Sequence, residues 1–265
     1  MSNSYYYNGN MYIPHNAADG YRGYILATMA SGTIMGTLPL FSKPFNKQLV
    51  KEHSQNHLYK DSFESAIKKS GLEEKGVRLI PAQYGGVQSD MVHGLNACYR
   101  PSDKTIIINT DKISVAGFHE AGHAMNDLTG KMGKILSKLR KPGMAAAGIL
   151  GTVALFSRSK PKEARRNIFD RIKDNCGKLA FICMLPIVFE EGLASFKGIK
   201  LAQKTGLSKP LINNMKKLYG KALLTYIGCA VATGLATGAA NIIMNSCTRP
   251  KKADTFSIDE FYYSN

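Results

Sequence analysis

Residues 111–128, DKISVAGFHEAGHAMNDL, decide how the rest of the chain is read. Apolar or small residues recur there at helical spacing and Gly130 closes the run, which predicts a helix. On such a helix His119 and His123 stand four residues apart, so both imidazoles project from one face and can bind one ion at about 2.0–2.1 Å. Glu120 sits beside them. Its carboxylate is placed to take a proton from a water whose pKa zinc lowers to about 7, and to hand it to a leaving amine. The small residues Ala121 and Gly122 leave room for another element to approach this helix closely.

Two imidazoles do not complete a catalytic zinc site, which normally keeps three protein ligands and one open position. The other histidines, His15, His53, His57 and His93, all lie upstream. A carboxylate from downstream is the natural third ligand, and residues 189–198 (FEEGLASFKG) offer Glu190 and Glu191 directly after an apolar run.

The order H-E-x-x-H is the arrangement of zinc metallopeptidases. With HEAGHA preceded by KTIIIN at 104–109 and followed by EGLAS at 191–195, the chain resembles the bacterial membrane neutral zinc metallopeptidases. More distantly it is similar to the membrane gluzincins that include the heat-shock quality-control protease and the CAAX prenyl protease. The likeness covers about residues 96–203. In those families the third ligand is the Glu that opens E-x-x-A-(D or S), so the resemblance implies zinc held by His119, His123 and Glu191, with Glu120 as general base. The heat-shock and prenyl enzymes usually carry an Asp four residues after that Glu, where this chain has Ser195. Glu190 is left as a surface or Lys-paired side chain. Asp127 or Ser195 could orient a ligating imidazole, although a solvated Asp127 fits its helix position better. His93 and Tyr226 are the candidates for a second oxyanion donor.

Around this helix the chain reads as a small mixed domain. Residues 61–71 (DSFESAIKKSG) fit a short capped helix. GVRLIP at 76–81 and KTIIIN at 104–109 are β-branched runs bounded by Gly, Pro, Asp or Asn, hence strands, with a glycine-rich loop between them. The second strand is either the edge on which an extended peptide could add, or an interior strand with no substrate role.

The remaining sequence alternates apolar and basic blocks. Residues 24–41 hold eighteen uncharged residues, about 27 Å of helix against a hydrocarbon core of about 30 Å, and read as a retained anchor. Residues 222–244 carry no charge over twenty-three positions, with Ala230, Gly234 and Gly238 four apart, and read as a transmembrane helix. The runs at 144–156 and 179–189 are short for unassisted crossings and suggest a shallow or re-entrant hairpin. Between them, 163–176 sets Ile168, Phe169, Ile172 and Cys176 on one stripe ringed by Arg165, Arg166, Arg171 and Lys173, as an interfacial helix would. This hairpin would carry Glu191 back to the histidines.

The 265 residues carry 35 Lys+Arg against 19 Asp+Glu, a net +16, and 44% are apolar. That composition excludes a wholly disordered chain, and no G-X-Y period suggests collagen. Five cysteines, an odd number, argue against a disulfide framework. Without Trp, zinc-finger spacing or aromatic-basic interleaving, the charge points to anionic lipid headgroups, not nucleic acid. Positive-inside bias puts the zinc domain on the cytoplasmic side, although residues 158–178 carry eight basic side chains at the far end of the hairpin.

The expected fold class is mainly α, with a small α+β zincin-like catalytic domain and integral membrane helices. The expected division is a disordered arm (1–22), an anchor helix (23–42), the zincin-like domain (43–142), the apolar hairpin (143–189), a third-ligand helix (190–221), a transmembrane helix (222–247) and a polar tail (248–265). The expected activity is a zinc endopeptidase, with one Zn²⁺ per chain, acting on protein or peptide at a bacterial cytoplasmic membrane. The alternative is a non-catalytic membrane scaffold with a degenerate site.

Overall fold

The computed structural model describes residues 5–7, 10–12, 17–53, 59–82, 89–94, 96–156 and 166–248. His15, His57, Glu163, Arg165 and the chain from 249 onward lie outside them. The chain is mostly helical. Its nine helices among the described residues are α1 (Ala17–Met35), α2 (Leu38–His53), α3 (Lys60–Lys69), α4 (Ser89–Val92), α5 (Val115–Thr129), α6 (Lys131–Phe156), α7 (Ile168–Asp174), α8 (Cys176–Lys204) and α9 (Lys209–Thr248). The strands are β1 (Tyr5–Tyr7), β2 (Asn10–Tyr12), β3 (Arg78–Pro81), β4 (Cys98–Arg100) and β5 (Thr105–Ile108). Where the sequence suggests an irregular arm, β1 and β2 pair as an antiparallel hairpin and α1 begins at Ala17.

β3, β5 and β4 form a three-stranded sheet with β5 in the middle, parallel to β3 and antiparallel to β4. All four residues of β5 are buried, as its Thr-Ile-Ile-Ile composition requires. The run 104–109 is therefore an interior strand, and the edge nearest α5 is β4, too short to show a period in the sequence. After β5 the Asn109 amide oxygen accepts from the backbone N–H groups of Asp111 and Lys112, turning the chain. The helix then starts at Val115, later than 111, because the Ser114 hydroxyl caps it by accepting from Ala116 N at 3.2 Å. One core joins Phe63 of α3, Ile106 and Ile108 of β5 and Phe118 of α5 to Leu201 of α8 and Ile212, Met215 and Leu218 of α9. Phe118 packs edge-on against Phe63 with ring centres 5.3 Å apart.

Three helical stretches are long and apolar enough to cross a membrane: Tyr21–Phe45, Cys176–Lys204 and Lys209–Cys247. The first continues past the expected anchor and is broken by a turn at Gly36 and Thr37. The two hairpin runs do lie antiparallel, Arg140 meeting Glu190 and Gly143 meeting Cys183, but each is only part of a longer helix. α6 continues past Pro142, whose lost hydrogen bond does not end a helix held along α8. The 29 residues of α8 reach about 44 Å, so the apolar run at 179–189 is not a shallow element. Nor is there a separate helix over 190–221: Glu190 and Glu191 sit inside α8, and α9 runs unbroken for 40 residues from Lys209. Its first turns join the sheet core, and Ala240 and Met244 join Ala27 and Ala154 in a second cluster. The Gly234 and Gly238 backbone lies against Gly177 of α8, close enough that a methyl on Gly177 would overlap it. The expected interfacial helix shrinks to α7, closed at its start by a capping box between Asn167 and Asp170. Ile168 and Phe169 are exposed there, while Cys176 belongs to α8.

Candidate metal centre

α5 and α8 cross antiparallel at two glycines, Gly122 against the Ala194 backbone and Gly198 against the Phe118 backbone. This close crossing puts both imidazoles beside the α8 carboxylates. His119 Nε2 lies 3.0 Å from His123 Nε2 and 3.1 Å from Glu191 Oε2, and His123 Nε2 lies 3.5 Å from that same oxygen. The sequence-expected trio is thus brought together. The imidazole rings stand edge to face, 4.6 Å between centres. Glu191 is 2% exposed.

Each imidazole also has a partner on its other nitrogen. Ser195 Oγ is 3.2 Å from His119 Nδ1, and Glu190 Oε1 is 2.7 Å from His123 Nδ1. Glu190 is no surface residue: it is 3% exposed, because α8 buries both adjacent carboxylates against α5 and α6. Asn126 Nδ2 donates to Glu190 Oε1 at 3.0 Å, and one Arg140 nitrogen donates to Glu190 Oε2 at 3.2 Å and to Glu191 Oε1 at 2.9 Å. Burial alone would lower the His123 pKa, but its hydrogen bonds to Glu190 and Glu191 outweigh that and hold it up at about 10. The cluster favours positive charge at that ring.

Glu120, half-buried, turns to the sheet. Its Oε2 accepts from the backbone N–H of Tyr99 at 2.7 Å, and its carboxylate groups with both imidazoles as a possible metal-holding set. The Tyr99 phenol donates to Asp127 Oδ2 at 3.0 Å, so the half-exposed Asp127 pairs with a phenol and not with an imidazole. Burial and then the Asp127 carboxylate push that phenol pKa up. Tyr219 of α9 donates to the Val115 carbonyl and sets its ring 5.4 Å from that of His119. Tyr226 lies near Glu191 and Arg140. His93 is exposed and is not among the converging His and Glu groups of the described residues.

The donor set could hold a metal ion, and its spacing matches a tetrahedral zinc site. Four ligands at about 2.05 Å in a tetrahedron stand roughly 3.3 Å from one another, close to the three separations observed. An ionised Glu190 can only accept, so His123 Nδ1 carries a proton; the raised pKa puts a second proton on Nε2 in the metal-free cluster, and a bound cation would take that proton's place. Two imidazole nitrogens and a carboxylate oxygen at these distances need a shared proton or a cation among them.

Arg140, Asn126, Tyr99 and Tyr219 were not legible as site residues. Only Arg140 carried a signal, a lone Arg among lysines just before an apolar run. No family model, curated protein or solved structure matches the chain.

Proposed function

We propose that the chain is a membrane-embedded zinc endopeptidase of the gluzincin type, its zincin-like unit formed by β3–β5, α5 and the inner half of α8. The observation that carries this reading is the convergence of His119 Nε2, His123 Nε2 and Glu191 Oε2 from two helices onto one point beside Glu120. Zinc held there by His119, His123 and Glu191 would supply Lewis acidity to water and to a scissile carbonyl. Glu120 takes the proton from the attacking water and delivers it to the departing nitrogen as the C–N bond breaks. The Tyr99 amide fixes one oxygen of Glu120, leaving the other for the proton. Ser195 and Glu190 hold the two imidazoles by their remote nitrogens.

The substrate class is protein or peptide, and the lipid partner is anionic. The antiparallel order of α6, α8 and α9 gathers Lys131, Lys134, Lys138, Arg140 and Lys141, then Lys197, Lys200 and Lys204, then Lys209, Lys216, Lys217 and Lys221, toward the end that carries the site. That charge supports a multi-pass protein of a bacterial cytoplasmic membrane with its metal centre on the cytoplasmic side.

The test is Glu120→Gln in purified, detergent-solubilised protein. Zinc should remain at about one per chain while peptide cleavage disappears, whereas His119→Ala should lose both. Full cleavage by the Glu120→Gln protein would refute the assigned base. A non-catalytic scaffold predicts no cleavage from any form.

A further inference from the structure

Glu190 and Arg140 form an arrangement that peptide hydrolysis does not itself require. Consecutive residues on a helix point about 100° apart, so Glu191 reaches the Nε2 face of the imidazole pair while Glu190 reaches round to the back of His123. Both oxygens of Glu190 are occupied, Oε1 by His123 Nδ1 and Asn126 Nδ2, and Oε2 by Arg140. Its backbone carbonyl also accepts from Asn126 Nδ2 at 3.2 Å. Asn126 is fully buried one turn beyond His123, so α5 grips Glu190 at two points. Arg140 arrives from a third helix and spans both carboxylates with one nitrogen. Two adjacent buried carboxylates would repel each other and pull Glu191 off centre without that cation.

We infer that Glu190 and Arg140 are positioning residues: Glu190 fixes the His123 ring with its Nε2 lone pair aimed at the metal, and Arg140 holds Glu190 and Glu191 side by side. The inference rests on the metal centre proposed above and extends it from α5 and α8 to α6. An inert buried ion pair would contribute to folding alone. A positioning pair sets metal affinity in protein that remains folded.

The experiment measures zinc affinity by competition with a chromophoric chelator on the full chain in detergent, with far-UV circular dichroism as the control for fold. Glu190→Gln and Arg140→Gln should each weaken zinc binding about 10- to 100-fold while the helical signal is kept. Arg140→Lys should recover part of the loss, because an ammonium still neutralises the pair but its different reach does not hold a nitrogen at the same point between the two carboxylates. The double variant should lose less than the product of the single losses, because the pair acts as a unit. In cobalt-substituted protein, the visible absorption should shift in Glu190→Gln. If Glu190→Gln fails to fold, Arg140→Lys and Arg140→Gln carry the test. Zinc affinity within about twofold of wild type in folded Glu190→Gln or Arg140→Gln protein overturns the inference. If His119→Ala, His123→Ala and Glu191→Gln are equally without effect, the metal centre itself falls, so the two failures are distinguishable.

Discussion

Gly122 of α5 rests on the carbonyl of Ala194 in α8, so closely that a methyl group on Gly122 would overlap that oxygen. The contact sits one residue before His123 and three after Glu191, so it sets the gap across which the imidazoles and the carboxylate meet. Gly122→Ala should push the helices apart, destabilising the fold by about 1–3 kcal/mol through overpacking. Zinc affinity should fall at least about tenfold with it. Thermal unfolding followed by circular dichroism, paired with chelator competition, checks both, and unchanged affinity would show that the crossing does not set the site.

Ser195 Oγ is the hydrogen-bonding partner seen on His119 Nδ1. Ser195→Ala should weaken zinc binding by roughly tenfold, the low end for loss of a group that orients a ligand, because the Tyr219 ring still packs near the imidazole. The helical signal should not change. A loss as deep as that of His119→Ala would mean that Ser195 does more than orient the ring.

If zinc occupies the cluster as proposed, stripping it removes whatever stability binding adds to the folded form. At free zinc a hundred times the dissociation constant that addition is about 2.7 kcal/mol. The unfolding midpoint should therefore fall on adding a strong chelator and return with zinc. His123→Ala should abolish the dependence, and a chelator-insensitive wild type would count against a bound structural or catalytic ion.

Gly177 packs on the backbone of Gly234 and Gly238, fourteen positions before Glu191 on α8, about 21 Å away along the helix. Gly177→Leu should separate α8 from α9 and lower thermal stability in detergent. Zinc affinity of the folded fraction should stay near wild type, because distant sites without shared partners add independently.

What was legible in the sequence was what is local. The spacing of His119 and His123 on one helix face follows from helical geometry alone, and the β-branched run of β5 and the Gly and Ala small-residue spacing in α9 are equally short-range signals. Only the resemblance selects Glu191, because nothing in FEEG tells which carboxylate turns inward. Both do, to opposite nitrogens of the same imidazole, and that outcome depends on how α8 lies across α5 and α6. In sequence Arg140 is one of many basic residues flanking an apolar block, since its partners lie about fifty positions away. β4 escaped because three residues, Cys-Tyr-Arg, show no period. The charged first turns of α9 hid the start of that helix, because Lys216, Lys217 and Lys221 broke the apolar run that marked its later part.

Tyr99 grips α5 twice, through its amide on Glu120 and its phenol on Asp127, seven residues and two turns apart. Two pins on one side of a cylinder stop it from both rolling and sliding, so strand and ligand helix travel as a single rigid block. Any opening beside the cluster must then come from helices outside that lock, among which α1 and α2 pack chiefly on α9.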